Sequence, residues 1–223
     1  MSSNLTAPTT SSIDDLRLTI DDLKKQAESQ PNLIVQLCSI VERIDLAQLF
    51  PTTQPLEVEL GCGDASFLVD YAGRHPGCNF IGVERLLGRI RKLDRKGRRA
   101  GLTNLRGVRI ESSYFVEFLL PPHSARALHV YFPDPWPKKK HHKHRLVNVR
   151  FPQLARVALA AGGTVYLRTD DADYFRQMTE VFTASGEFQE MATPAELAEL
   201  PTDFERDFRA KGIKTLLTAY LAK

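Results

Sequence analysis

Leu56-Glu57-Val58-Glu59-Leu60 runs straight into Gly61-Cys62-Gly63-Asp64, and beyond it Phe67, Leu68, Tyr71 and Ala72 recur at helical spacing. The pattern sets a strand, a glycine turn and a helix in that order. Glycine has no Cβ and accepts positive φ, so a ligand can approach the backbone of such a turn closely. A lone Gly-x-Gly serves equally as an ordinary tight turn, and its meaning depends on the next element of the chain. That element is Cys78-Asn79-Phe80-Ile81-Gly82-Val83-Glu84, a near-continuous apolar strand ending in an acid. Nucleotide-binding α/β folds place a carboxylate about 20 residues past the glycines to hold ribose hydroxyls, which makes Glu84 the candidate ribose anchor.

Further strands come in the same rhythm. They are Asn104 to Ile110, followed by Glu111; Ala127 to Phe132; and Thr164 to Arg168, followed by Thr169-Asp170. Helices are expected from about Pro152 to Ala160, closed by Gly162-Gly163, and around Tyr174, Phe175, Met178 and Phe182. Phe188 to Met191 and Ile213 to Tyr220 read as a closing pair of strands. Alternating strands and helices predict an α/β fold, in which ligands bind beyond the carboxyl ends of the strands. That rim gathers the glycine turn, Glu84, Glu111, Asp134 and Asp170. The dehydrogenase fingerprint has a third glycine where this chain has Ser66, which argues for a nucleoside cofactor without a diphosphate. S-adenosylmethionine fits, with Glu59 meeting its charged amino end or holding the glycine loop in shape. Glu111 is placed to accept a hydrogen bond from an adenine amino group, or to serve as a helix N-terminal acid favoured by the macrodipole.

Phe132-Pro133-Asp134-Pro135-Trp136-Pro137 has prolines at alternate positions. Each fixes its own φ and pushes the preceding residue out of helical geometry, so Asp134 is held stiffly. Four lysines and one arginine then fall within eight residues, from Lys138 to Arg145. Such a density of positive charge repels itself unless a polyanion lies nearby, although a solvated surface run is the plainer account. Arg85 to Arg99 forms a second basic cluster, readable as RNA contact or as a solvated helix face behind the apolar stripe Leu86, Leu87, Ile90 and Leu93. The net charge of the 223-residue chain is only +3, so distribution and not total carries the nucleic-acid reading. His141, His142 and His144 have no carboxylate or thiolate at ligand spacing, and no metal is expected. Trp136 either stacks on a base or anchors its loop in the core.

No apolar run approaches the ~20 residues that span a bilayer. Met1 to Ser12 lacks the features of a signal peptide, so a cytoplasmic location is expected. Cys38, Cys62 and Cys78 form no Cys-x-x-Cys pair and read as small buried apolar residues. Residues 1–12 read as a disordered lead. Residues 13–44 read as a helical preface, with Leu33, Ile34, Leu37 and Val41 on one face after Pro31, and 45–223 as the main domain.

With these motifs in hand, the chain from about Val41 to Tyr220 resembles the bacterial tRNA (guanine-N7)-methyltransferase family. The most specific part is Phe132-Pro133-Asp134-Pro135-Trp136-Pro137-Lys138 with its His-rich basic run. Glu59-Leu60-Gly61-Cys62-Gly63, Phe80 to Glu84, Arg168-Thr169-Asp170 and Thr202-Asp203-Phe204-Glu205 support it. The resemblance implies a class I methyltransferase fold, Rossmann-like, with a seven-stranded mostly parallel sheet and helices on both faces. It implies S-adenosylmethionine as cofactor, tRNA as partner and the variable-loop guanosine at position 46 as target. It leaves monomer and homodimer both open.

By the same resemblance Glu59, Gly61, Gly63, Glu84, Glu111 and Asp134 line the cofactor site. Lys138, Asp170 and Thr202, Asp203, Phe204 and Glu205 meet the substrate, and Lys140, His141, His142, Lys143, His144 and Arg145 touch RNA. The family has Asp-Ala where this chain has Glu111-Ser112, so the adenine contact implies a longer arm. Guanine N7 carries an in-plane lone pair, so no general base is needed, and Asp134 is the expected catalytic carboxylate, assisted by Asp170. A non-enzymatic RNA-binding module, a small-molecule methyltransferase and a nucleotide-dependent oxidoreductase each account for only part of this pattern.

Overall fold

The computed structural model describes residues 31–223, apart from the side chains of Asp203, Asp207 and Arg209. The expected lead at 1–12 and the first part of the helical preface, 13–30, lie outside the described residues.

Seven strands make one sheet. They are β1 (Leu56–Leu60), β2 (Asn79–Val83), β3 (Leu105–Val108), β4 (Ala125–Tyr131), β5 (Leu159–Thr169), β6 (Phe188–Met191) and β7 (Leu216–Ala222), in the spatial order β3-β2-β1-β4-β5-β7-β6. The first five pair in parallel, and β7 runs antiparallel to both β5 and β6. After β1 come α2 (Ser66–Arg74) and, after β2, α3 (Leu87–Arg99); a short α1 (Leu46–Leu49) precedes β1. Glu111 caps α4 (Ser112–Tyr114), which continues as a π-turn to Leu119. The remaining helices are α5 (Phe151–Ala158), α6 (Ala172–Ser185), α7 (Ala195–Glu199) and α8 (Asp203–Ala210).

Successive residues of a strand point to opposite faces, and β1 is buried on both. Val58 and Leu60 join one apolar core with Phe115, Phe151, Tyr174, Met178 and Phe182, under the π-turn, α5 and α6. Phe67, Leu68, Tyr71, Ile90 and Leu93 from α2 and α3 build the other core with Phe80, Leu105 and Tyr131. The sheet order leaves β1 between β2 and β4, so the carboxyl end of β1 opens at the centre of the rim with a chain crossing on either side.

Two expectations fail here. Residues 31–44 are not helical. Leu33 to Val35 lie extended beside β3, where Val35 N donates to Gly107 O at 2.8 Å and Gly107 N donates to Leu33 O at 2.8 Å, and the end of the segment reaches the π-turn, where Ile44 N donates to Leu119 O at 2.9 Å. An edge strand has unpaired backbone groups, and this segment satisfies some of them. Nor do Gly162-Gly163 close a helix. The helix ends at Ala158 and β5 starts at once, with the glycines inside its first half, where the register against β4 shifts and Gly162 takes φ 69°. They mark a bulge. Cys62 and Cys78 are buried as expected, whereas Cys38 is exposed.

Gly82 and Gly107 pair across β2 and β3 beneath α3. A Cβ on Gly82 would stand 2.6 Å from Leu93, 2.8 Å from Leu68 and 2.9 Å from Cys62, so its absence lets α2 and α3 close on the sheet directly under the glycine turn. Gly82→Ala should therefore lower stability in chemical denaturation by about 1–3 kcal/mol. A midpoint unchanged from wild type would show that the helices are not seated this tightly.

Candidate active site

The turn after β1 takes left-handed backbone at Gly61 (φ 79°), Gly63 (φ 56°) and Ala65 (φ 59°). Gly61 N and Cys62 N both donate to Val83 O at 2.9 Å, which ties the turn to the end of β2. Two hollows open beside it. One is a cleft of about 510 Å³ whose walls include Gly61, Glu84, Glu111, Asp134, Trp136 and His144. The other, ≈ 30 Å³, has the volume of roughly one water-sized group; Glu59, Gly61, Gly63, Tyr131, Thr202 and Phe204 line it. Asp134 thus stands in the same cleft as the glycine turn and Glu84.

Glu59 is 4% exposed, and its Oε2 has no hydrogen-bond partner. Burial pushes this carboxyl up to about 8. The charge of Arg168 offsets part of that, and Asp64 and Glu84 add to it. A buried acid aimed into a hollow with one oxygen unsatisfied is a costly arrangement for folding alone and a suitable one for a cation. Glu84, at the end of β2, accepts from Leu86 N at 2.7 Å through Oε1, while its Oε2 lies 3.9 Å from the Arg89 guanidinium.

A row of polar side chains crosses the sheet beneath α2. Glu57 accepts from His129 at 2.7 Å and from Arg126, and the other His129 nitrogen lies 2.8 Å from the Tyr131 hydroxyl. Burial alone would raise the Glu57 carboxyl, but the hydrogen bonds and charges of His129 and Arg126 bring it down to about 2. The Arg168 guanidinium lies 4.3 Å from the centre of the Tyr131 ring. It donates to Leu200 O at 3.0 Å, to Glu205 at 2.8 Å and to Leu197 O. Arg168 therefore ties the α7–α8 segment to the floor of the smaller hollow.

These contacts revise several expected roles. Glu205 is 1% exposed and accepts from Thr202 N at 2.8 Å as well as from Arg168, while Thr202 Oγ1 accepts from Glu205 N at 3.1 Å. Thr202 and Glu205 form the reciprocal cap that starts α8, and Glu205 is turned inward, not toward a substrate. Thr202 and Phe204 border the smaller hollow, and the Asp203 side chain lies outside the described ones. Arg145 is buried at 2% exposure and does not present itself to RNA. It donates to Pro135 O and Gln177 at 2.7 Å and to Asp173 at 2.9 Å, and lies 4.7 Å from the Tyr174 ring centre. These bonds fasten the proline loop to α6.

Glu111 accepts from Ser113 N and Tyr114 N through its two oxygens, the helix-capping role, while bordering the cleft. Lys138, Lys140 and Lys143 are exposed and His141 and His142 half-buried on the loop, outside the cleft wall that His144 joins. Trp136 is not anchored in the core. It stands 37% exposed in the cleft wall, at φ 43°, with His141 and His144 against it. Asp170 is exposed at the end of β5 and does not line the cleft. Among the described residues no group of three His, Cys, Asp or Glu could hold a metal ion, and no helix is long and apolar enough to cross a membrane.

Sequence reasoning missed the structural work of Arg168 and Arg145. The signal was available for Arg168. Thr164 to Arg168 is an apolar strand, and a charged residue inside it must find a buried partner.

Between about pH 4.5 and about 8 the folded protein keeps a proton on Glu59 that the unfolded chain has lost, so this residue makes stability fall as pH rises through that window. Glu59→Gln should remove that slope, matching wild type near pH 4 and exceeding it at pH 8 in denaturant titrations; parallel profiles would contradict the raised carboxyl. Arg145→Met should cost about 2 kcal/mol through its lost hydrogen bonds. Lys140→Met, exposed in the same loop, should change stability by less than about 0.5 kcal/mol. Equal effects would place Arg145 on the surface.

Residues 53–217 match the family model described as "Putative methyltransferase". The chain is 37% identical over 159 residues to the tRNA (guanine-N(7)-)-methyltransferase of Chromohalobacter salexigens, covering 71% of this chain and 65% of that protein. It is 31% identical over 175 residues to that of Thermotoga maritima (78% and 56%) and 34% identical over 174 residues to that of Halorhodospira halophila (76% and 75%). The chain thus spans under two thirds of the length of the first two of these relatives. Among solved structures it is similar to the 16S rRNA methyltransferase KamB, with TM-score 0.57, 17% identity and coverage of 81% of this chain and 94% of that one. A 30S ribosomal A1408 methyltransferase from an uncultured bacterium gives TM-score 0.57, 14% identity and coverage of 82% and 96%. At such identities these two likenesses establish the fold alone, that of a class I methyltransferase. By the family model and the sequence relatives together, the chain belongs to the tRNA (guanine-N7)-methyltransferase family.

Proposed function

We propose that this protein transfers a methyl group from S-adenosylmethionine to N7 of a guanine in tRNA, at the variable-loop guanosine in position 46. The names of the relatives support the reaction and the RNA class. The observation that carries the reading to this chain is the shared cleft, which puts Asp134 opposite Glu84 across the glycine turn, with the unsatisfied Glu59 oxygen in the adjoining hollow.

The donor set fits the cofactor. Glu59, protonated in the free protein, gives up its proton as a cationic amino end enters and then offers it a carboxylate oxygen, Glu84 offers Oε2 to a ribose diol, and the glycine turn admits the nucleoside without Cβ atoms in the way. When bound, S-adenosylmethionine supplies an electrophilic methyl on a positively charged sulfur. Asp134, held between two prolines and backed by the Arg145 bond to Pro135, presents a fixed negative charge to the purine as it becomes cationic. The same carboxylate can accept from guanine N1–H and N2–H and so orient N7. Trp136 and His144 close that side of the cleft. No residue needs to remove a proton, because N7 already has a free lone pair. Lys138 and Asp170, outside the cleft wall, are left to grip the flanking nucleotide.

Incubating the protein with labelled S-adenosylmethionine and an unmodified tRNA transcript, then mapping 7-methylguanosine, tests the reading. Label at position 46 is expected; label on another base or none on tRNA would overturn it. Asp134→Asn should keep cofactor affinity and lose about 10²–10³-fold in kcat, the scale of removing one preorganised electrostatic group. An Asn variant with wild-type turnover would take Asp134 out of the reaction.

A further inference from the structure

A second strongly basic surface adjoins the cleft besides the Lys138–His144 strip. Between Leu87 and Arg99, α3 carries Arg89, Arg91, Lys92, Arg95, Lys96, Arg98 and Arg99 against one acid, Asp94. Ile90, Leu93 and Gly97 face the sheet and are buried. With 3.6 residues per turn, Arg91, Arg95 and Arg99 stack on the opposite face with Lys92 beside them, a stripe about 12 Å long. All four are exposed, and no acid stands at ion-pair distance from any of them among the described residues. The acids that reach this helix are engaged with its other cations: Asp94 pairs with Arg98 at 3.6 Å, and Asp64 of the glycine turn with Lys96 at 2.7 Å.

Folding does not ask for this arrangement. Like charges three and four residues apart destabilise a helix, and Arg91–Arg95, Lys92–Arg95 and Arg95–Arg99 are all such pairs. A polyanion laid along the stripe reverses that penalty. The position is also suited to RNA. α3 leaves the end of β2, the proline loop leaves the end of β4, and the sheet order puts β1 with its glycine turn between them. Arg85 and Arg89 at the start of α3 line the cleft on one side, as Trp136 and His144 do on the other. At its far end Arg99 borders an open groove between α2 and α3, whose rim also holds Arg74, Lys96 and Arg206.

We propose that the outward face of α3, Arg91, Lys92, Arg95 and Arg99, is a second RNA-binding surface that grips the phosphates of the strand on one side of the target base, while the basic loop grips the other side. Three of the four are arginines, whose planar fork matches phosphate oxygens. The inference rests on the RNA reading given above.

The test is tRNA binding by fluorescence anisotropy across a salt series, with wild type and a variant carrying Arg91→Gln, Lys92→Gln, Arg95→Gln and Arg99→Gln. Two to four lost phosphate contacts should flatten the slope of log K against log salt by about 1.4 to 3.6. Affinity at about 0.1 M salt should fall at least tenfold, with S-adenosylmethionine affinity unchanged. Removing like-charge pairs should leave the variant at least as stable as wild type; should it nevertheless fail to fold, Arg95→Glu alone must weaken binding by a measurable, salt-dependent factor. Wild-type affinity and slope in a folded variant would overturn the α3 surface and leave the methyltransferase reading standing. A wild-type protein that binds tRNA and shows the α3 effect but does not methylate it would overturn only that reading, and one that binds no tRNA would overturn both.

Discussion

The buried guanidinium of Arg168 is the contact on which the arrangement of this site depends. A charge taken this far from water must be neutralised and hydrogen-bonded, and breaking such a network costs far more than a surface pair is worth. Arg168 meets that demand at its two terminal nitrogens, though not at Nε, by drawing in Leu197 O, Leu200 O and Glu205 from the chain between β6 and β7, and it lies against the ring of Tyr131. One requirement of electrostatics thus brings the Thr202–Glu205 cap to the glycine turn, although the two are far apart in sequence. The row continues through Tyr131, His129 and Glu57. Glu59, the next residue along the same face of β1 as Glu57, is left with one oxygen unsatisfied, as Arg168 is with its Nε, and it faces the smaller hollow.

A second buried arginine does the same for the other wall. Arg145 reaches from the end of the basic run to Pro135 O, Gln177 and Asp173, so the loop is braced at Pro135 and at its far end. The two arginines act on neighbouring strands, β4 through the loop that leaves it and β5 through its own side chain. Arg145 fixes the cleft wall that contains Asp134, and Arg168 fixes the segment that borders the smaller hollow. Stability is given up at Glu59, where a neutral side chain would suit the interior better, and this is the usual sign of a residue kept for binding.

Sequence patterning carried the sheet well. β1, β2 and the strands around His129 and Tyr166 are short apolar runs bounded by turn signals, and parallel strands buried on both faces read that way. The rim acids sit at strand ends, so Glu84, Glu111 and Asp134 could be placed on one edge from the residues alone. Residues 33–41 deceived because an apolar residue every three or four positions also suits an extended segment that buries Leu33 against a sheet edge and leaves Val41 outside. Gly162-Gly163 deceived because a bulge needs positive φ as much as a helix cap does. Arg145 was hidden inside a run of like charges, where nothing local marks the one member that turns inward. Thr202-x-x-Glu205 did carry its signal, the capping-box spacing, but a family motif can be structural and lie beside the substrate at once.

If one cleft over the end of β1 receives both the methyl donor and the guanine, a crystal structure with S-adenosylhomocysteine and a guanosine-containing tRNA fragment will show it directly. The amino group of the ligand is expected against Glu59, its ribose on Glu84, and N7 of the guanine facing the sulfur with Asp134 in contact with the purine. A guanine bound away from Asp134, or a nucleoside lying outside the glycine turn, would contradict this arrangement.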